Sequence, residues 1–344
     1  MGHMPFHPRF QIAGRPIGGG APVFIVAEAG VNHFGNPDKA MTLVDLAAAA
    51  GADAFKTQVF ATDRLVSSRL PAWRERLRPK EISFDFLARM KERCDQRGLI
   101  FLCTAHEEST LPWLDELQVP AFKIGSGERD NFPYFREVAA RGKPIILSTG
   151  MYDLYQVREN LGVLADAGCR DLALLHCVTS YPTPYDQVNL RAMHALQEIF
   201  PGPVGYSDHT DGHHAVLAAV ALGAAIVEKH LTLDFNVPDA QDWKVSAGPE
   251  DFPVLVRQIR EVEAALGSGV KTVQPCEAPA LVWALKRLVA ARNLAAGTVL
   301  EMDMIITKRA GAGLTPVHLP EILGRRLSLD LGVDEPIEWE HLAP

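Results

Sequence analysis

Positive charge is in short supply: 34 Lys and Arg against 42 Asp and Glu leave a formal net charge of −8 over 344 residues. That deficit excludes a nucleic-acid binder held by bulk charge, although it leaves room for a local basic pocket. Long apolar runs are missing as well. No stretch reaches 18 apolar residues, so no membrane span is predicted. The cysteines Cys94, Cys103, Cys169, Cys177 and Cys276 are odd in number and never spaced CxxC. This argues against a disulfide framework or a cysteine zinc site, and suits reduced thiols in a cytoplasmic protein. The opening MGHM reads as a cloning remnant rather than a targeting signal, because no charged start leads into an apolar stretch. What is present, 47% apolar and 22% charged residues, is a globular composition long enough for one large domain and a small one.

After a lead-in over 1–21, one event repeats across 22–266: a short apolar run, a polar turn, then helical periodicity. The runs are Val23 to Gly30, Ala54 to Val59, Ile100 to Ala105, Ala121 to Ser126, Pro144 to Gly150, Leu172 to Val178, Val204 to Thr210 and Ala225 to Thr232. Apolar runs without clean alternation suit parallel strands buried on both faces, and the spacing averages about 29 residues, the size of a βα unit. Eight such units predict an α/β fold, a (β/α)8 TIM barrel. A doubly wound sheet is the competitor; it would want GxGxxG after the first strand, and EAGVNHFG does not supply it. Residues 267–281 read as a Gly, Ser and Pro-containing linker, and 282–344 as a compact β-rich module.

In such a barrel catalytic side chains gather at the C-terminal strand ends. Here those ends carry Glu28, Lys56 with Gln58, Thr104, Lys123 with Ser126 and Glu128, Ser148, His176 with Tyr181, Ser207 with Asp208 and His209, then Glu228 with His230. Charge inside apolar strands is costly unless paired or coordinated, so the recurrence carries the information. Lys56 and Lys123, beside Ser126, Ser148 and Ser207, predict an anion site that fits phosphate best. A Schiff-base lysine at Lys56 or Lys123 is a rival, and a binding barrel without turnover is another. His209 and His230 end neighbouring strands and can share one exchangeable divalent metal, more in keeping with Mn²⁺ than with structural zinc. Glu28, Glu128 and Asp242 are candidates for acid/base work or hydroxyl recognition.

The strings AEAGVNHFGN, FKTQVF, AFKIGSGE, PIILSTGM, LLHCVTSYPTPYDQVNL, VGYSDHT and EKHLTLD resemble the sialic acid synthase family of nonulosonate synthases over nearly the whole chain. VAARNLAAGTVLEMDM and KRAGAG resemble that family's C-terminal antifreeze-like (SAF) domain. The resemblance implies a transferase that condenses phosphoenolpyruvate with the aldehyde of an N-acetylated hexosamine and releases phosphate by C–O cleavage. By matching position it implies Lys56, Lys123, Ser126, Ser148, Ser207 and Tyr181 for phosphoenolpyruvate, and His209 and His230 for a metal, Mn²⁺ first, Mg²⁺ or Co²⁺ next. Glu28 then stands at the attacking water, with Gln58, Thr104, Glu128 and Asp242 around the sugar. Arg309 matches an arginine presented to a partner subunit's sugar, which implies a domain-swapped homodimer. The chain departs from the family pattern at Ala105 and His106, at Thr179, in the loop PDAQDWKVS and at Ala310, all on the sugar side.

Overall fold

The computed structural model describes residues 4–238 and 240–344, so the first three residues of MGHM lie outside it. The chain divides into two compact units, one ending at Gly267 and the other spanning Ser268–Pro344.

The first unit opens with a hairpin, β1 (Arg9–Ile12) paired antiparallel with β2 (Arg15–Gly18). Its two-residue turn, Ala13 and Gly14, has positive φ at both positions, the geometry that matches strand twist. Eight parallel strands follow, β3 (Phe24–Gly30), β4 (Ala54–Val59), β5 (Ile100–Ala105), β6 (Phe122–Ile124), β7 (Ile145–Ser148), β8 (Leu172–Cys177), β9 (Val204–Asp208) and β10 (Ile226–His230). Their order is β5-β4-β3-β10-β9-β8-β7-β6, and the two end strands lie side by side, so the barrel is nearly closed. All eight expected strands are present, and the (β/α)8 reading holds.

Each barrel strand is followed by a covering helix: α1 (Pro37–Ala50), α2 (Phe84–Arg97), α3 (Leu111–Glu116), α4 (Phe132–Ala139), α5 (Leu154–Asp166), α6 (Ala192–Ile199), α7 (His214–Ala221) and α8 (Asp251–Leu266). Their ends are written in the sequence. Asn36 caps α1 by accepting from the backbone N–H groups of Asp38 and Lys39, with Pro37 in the first turn. Asp153 and Gln156 form a reciprocal capping box on α5.

Alternation along the strands sorts the apolar residues into two cores. Outward positions such as Ile25, Phe55, Phe101, Leu147, Leu174 and Val227 pack against the helices. Inward positions, Phe24, Val26, Ala54, Leu102, Ala121, Ile146, Ala173, Leu175 and Ile226, fill the lower lumen together with Phe10, Ile12 and Ile17 of the hairpin. The lead-in is therefore a plug in the barrel floor. Above that floor the lumen turns polar.

The second unit holds β11 (Lys286–Ala290) antiparallel to β12 (Ile305–Arg309) around its own core, which includes Leu288, Leu294, Leu300, Ile322, Leu331 and Ile337. Among the described residues, no helix is long and apolar enough to cross a membrane.

Candidate active site

The period of two that places Ala54 and Ile226 on the floor brings Lys56 and Glu228 to the next inward positions of β4 and β10. The same step on the other strands delivers Glu28, Lys123, Ser148, Cys177 and Ser207. Together with Gln58, Thr104, His106, Ser126, Thr179, Tyr181, His209 and His230 they line a cavity of about 150 Å³ at the C-terminal strand ends. Four charged side chains in this layer are almost fully buried: Glu28 is 1% exposed, Lys56 3%, Lys123 4% and Glu228 5%.

They compensate one another. Lys56 Nζ lies 2.5 Å from Glu28 Oε2 and 3.5 Å from Glu228 Oε2, while Lys123 Nζ is 3.7 Å from Glu228 Oε1. Lys123 donates to Ser148 Oγ at 2.6 Å and Ser207 to Glu228 Oε1 at 2.9 Å; Lys56 reaches Thr104 Oγ1 at 3.4 Å. Gln58 Nε2 donates to Glu28 Oε1 at 3.0 Å, and Ser126 Oγ accepts from the Gly150 amide at 2.9 Å.

The two carboxylates are pushed apart in proton affinity. Burial raises Glu28 to about 7, with the neighbouring Glu228 charge adding to it and Lys56 opposing. Burial would raise Glu228 too, but Lys123 and Lys56 outweigh it and hold that carboxyl at about 2. Glu228 is thus the permanent anion, and Glu28 exchanges a proton near neutrality. Burial lowers Lys123 from its ordinary value, and the Lys56 charge adds to that. For Lys56 burial is outweighed by Glu228 and Glu28, and its proton is held more tightly than usual.

At the C-terminal ends of β9 and β10, just beyond Ser207 and Glu228, the rings of His209 and His230 are 5.4 Å apart. His209 Nδ1 lies 2.8 Å from the Val178 carbonyl, which leaves Nε2, 3.0 Å from Tyr181 OH, facing the cavity. Burial would lower His209, but Cys177, whose Sγ is 3.6 Å from Nδ1, holds it up to about 9. Burial, with His209 and Lys56 adding to it, keeps His230 neutral, and its buried Nδ1 has no hydrogen-bond partner. A neutral buried imidazole without a partner, next to a second ring with one nitrogen turned to the cavity, is a donor set that fits a divalent cation; the cation would displace the His209 proton. Asp242 Oδ2 stands 3.9 Å from His230 Nδ1.

Asp242 begins the turn Asp242–Val245, and Glu128 ends the turn Ser126–Glu128, where it accepts from Asn131 Nδ2 at 2.7 Å. Neither lines the narrow cavity; burial raises both above the usual carboxylate range. Gly30, at φ +53°, belongs to this rim, because a Cβ there would come within 2.7 Å of Asp242 Oδ2. Arg309 lies in the second unit, on β12, with its guanidinium 5.4 Å from the Trp283 ring centroid. Among the described residues, Glu338, Glu340 and His341 are grouped closely enough to share an ion, but they lie at the surface of that second unit.

Sequence reading placed Glu228 at a strand end without giving it a part, took Cys177 for a reduced thiol, and noted His106 only as a departure from the family pattern on the sugar side. The signal was available in EKH, where alternation puts Glu228 and His230 inside and Lys229 outside. His176 faces outward, with Nε2 2.7 Å from the Val188 carbonyl. A larger cleft of about 1030 Å³ opens around the hairpin at the other end of the barrel, but its charged groups Arg15, Asp53, Arg260 and Glu263 are already engaged with one another. The buried charged layer of Glu28, Lys56, Lys123 and Glu228 lines the smaller cavity.

The model of the NeuB family matches residues 43–271, two thirds of the chain, and that of the SAF domain matches 287–343. The chain belongs to the NeuB family. Similar to this NeuB-family chain are the N,N'-diacetyllegionaminic acid synthase of Legionella pneumophila, 36% identical over 95% of this chain and 97% of that protein, and the human N-acetylneuraminate-9-phosphate synthase, 33% identical over 95% and 94%. Of solved structures, the N-acetylneuraminic acid (sialic acid) synthetase of Leptospira borgpetersenii superposes with a TM-score of 0.74 at 32% identity, covering 81% of this chain and 97% of that one. The NeuB match ends within a few residues of Gly267, where the first compact unit ends.

Proposed function

We propose that this chain condenses phosphoenolpyruvate with an open-chain N-acetylated hexosamine, N-acetylmannosamine or a relative, to give a nine-carbon 2-keto-3-deoxy sugar acid of the sialic acid type. The observation that carries this reading is the buried layer of Lys56, Lys123, Ser148 and Ser207. It offers two cations and hydroxyl donors to a ligand bearing both a phosphate and a carboxylate. The names of the relatives support the sugar acid product. Ser126 and Tyr181 complete the anion cradle, and Gln58, Thr104, Glu128 and Asp242 surround the sugar. Arg309 reads the sugar of a partner subunit in a domain-swapped homodimer.

In this reaction C3 of phosphoenolpyruvate forms a bond to the aldehyde carbon, whose oxygen becomes a hydroxyl. Water adds at C2, and phosphate then leaves with its bridging oxygen, so the carboxylate product bears a ketone at C2. Glu28, poised near 7, takes the proton from that water. Lys56 and Lys123 balance the phosphate charge as it departs. A divalent cation held by His209 and His230, Mn²⁺ first with Mg²⁺ or Co²⁺ as alternatives, would supply Lewis-acid polarisation of the aldehyde.

Phosphate release from phosphoenolpyruvate, measured with EDTA or Mn²⁺ across N-acetylmannosamine, mannose and a 2,4-diacetamido-trideoxyhexose, tests the proposal. Release that needs both the metal and one amino sugar is the expected result. Chelator-indifferent turnover of pyruvate, with a borohydride-trapped adduct on Lys123, the lysine with the loosened proton, would replace this reading by a Schiff-base aldolase.

A further inference from the structure

Strand β10 is charged on both faces, and its neighbour β9 is polar inside and charged outside. Inside the lumen they present Ser207 and Glu228; facing the helices they present Asp208 and Lys229, an ion pair at 2.5 Å with side chains 0% and 2% exposed. Outward positions towards the C-terminal ends of β3, β4, β5 and β6, among them Ala27, Thr57, Cys103 and Ile124, carry no charge. A buried pair of this kind adds little stability over two well-packed apolar side chains. Its contacts show what it does achieve. Lys229 Nζ also donates to the carbonyls of Thr210 at 2.8 Å and Gly212 at 3.1 Å. Asp208 Oδ1 accepts from Tyr206 OH at 2.8 Å, from the Thr210 amide at 3.1 Å and from Thr210 Oγ1 at 2.9 Å. The backbone on either side of His209 is therefore anchored to one ammonium–carboxylate pair. From the other flank, the His209 carbonyl accepts from the Thr183 amide at 2.7 Å.

We propose that the Asp208–Lys229 pair is a positioning device that holds the turn 208–212 so that His209 presents Nε2 to the cation site. This rests on the reading of His209 and His230 as cation ligands. Neither residue touches the cavity; both act through His209. Supporting groups of this kind are worth about tenfold to a hundredfold in metal affinity.

The test compares wild type, the double variant Asp208→Asn/Lys229→Met and the single variant Lys229→Arg, each stripped with EDTA. Mn²⁺ affinity is read by the paramagnetic resonance of free Mn²⁺, and phosphoenolpyruvate affinity by calorimetry. Exchange of the Thr210 amide is followed without metal. The double variant, folded and melting cooperatively, should bind Mn²⁺ about tenfold to a hundredfold more weakly while its phosphoenolpyruvate affinity moves less than about twofold. Lys229→Arg should recover most of the Mn²⁺ affinity. A folded double variant with Mn²⁺ affinity within about twofold of wild type overturns the proposal, as does an equal loss for both ligands. Should the double variant not fold, Asp208→Glu, one methylene longer, is held to the same two criteria. Should the wild-type protein take up no Mn²⁺, the cation reading falls, and Thr210 exchange decides on the pair. Exchange at least about tenfold faster in Lys229→Met supports the anchoring, and unchanged exchange refutes it.

Discussion

Neutralising Glu228 without changing its shape, by Glu228→Gln, isolates the electrostatics of the lumen. The carboxylate stands 3.5 Å from Lys56 Nζ and 3.7 Å from Lys123 Nζ. At an effective dielectric near 20 each attraction is about 4–5 kcal/mol, and the desolvation of the carboxylate takes back several kcal/mol. Removing one partner of a buried ion pair therefore costs about 3–5 kcal/mol, because two ammonium groups are left sharing Glu28. For a unit ending at Gly267 this is a fall in Tm of roughly 6–10 °C at about 2 °C per kcal/mol. Phosphate or phosphoenolpyruvate restores the missing negative charge, so millimolar anion should raise the Tm of the variant far more than that of wild type. The assay is differential scanning fluorimetry in an anion-poor buffer, with and without phosphate. A variant melting within about 2 °C of wild type, or an equal gain from phosphate in both proteins, would refute the claim that Glu228 substitutes for the substrate's charge.

The same layer sets the pH dependence. Glu28, held at about 7 against an ordinary 4.5, favours its protonated form in the folded state. Its contribution to stability is complete below about pH 4.5 and is lost as pH rises through 7, about 3 kcal/mol in all; urea midpoints at pH 5 and pH 8 should show that slope in wild type and lose it in Glu28→Gln. With ionised Glu28 as the proposed base, kcat/KM should fall below pH 7, and in Glu228→Gln that limb should move to lower pH, since the Glu228 charge helps to raise Glu28. His230→Ala should abolish turnover while leaving phosphoenolpyruvate binding within a few-fold; substantial turnover in Mn²⁺-replete buffer would contradict the ligand assignment. Arg309→Ala should raise the KM of the sugar at least tenfold over its effect on phosphoenolpyruvate, on the order of one lost charge-assisted hydrogen bond; equal effects on both substrates would remove Arg309 from sugar recognition.

The barrel was legible because parallel strands buried on both faces leave uninterrupted apolar runs, and polar residues at their ends cannot be explained by the core. Lys56, Lys123, Ser148 and Ser207 could be named that way, and the structure brings them into one lining. Which face a polar residue takes was harder to read. His176 and Glu228 look equivalent as strand-end groups, yet His176 turns to the helices and Glu228 to the lumen. Only a period of two counted from the floor residues separates them. Cys177 was read as a plain buried thiol, because nothing in HCV announces that the sulfur meets His209 from the next strand. The hairpin that plugs the floor, RFQI and RPIG, was too short for its alternation to register.

Charge on both faces of β10 bears on how the barrel assembles. Strands that are apolar on both sides can slide along their neighbours at little cost, because every offset buries similar surface. Glu228 and Lys229 remove that freedom. Slipping β10 by one residue would bring Lys229 into the lumen against Lys56 and Lys123 and set Glu228 beside Asp208, three like-charge contacts in place of three ion pairs. The strand thus carries its own alignment mark. The carboxylates and ammonium groups on its two faces penalise a one-residue slip of the strand while the sheet forms.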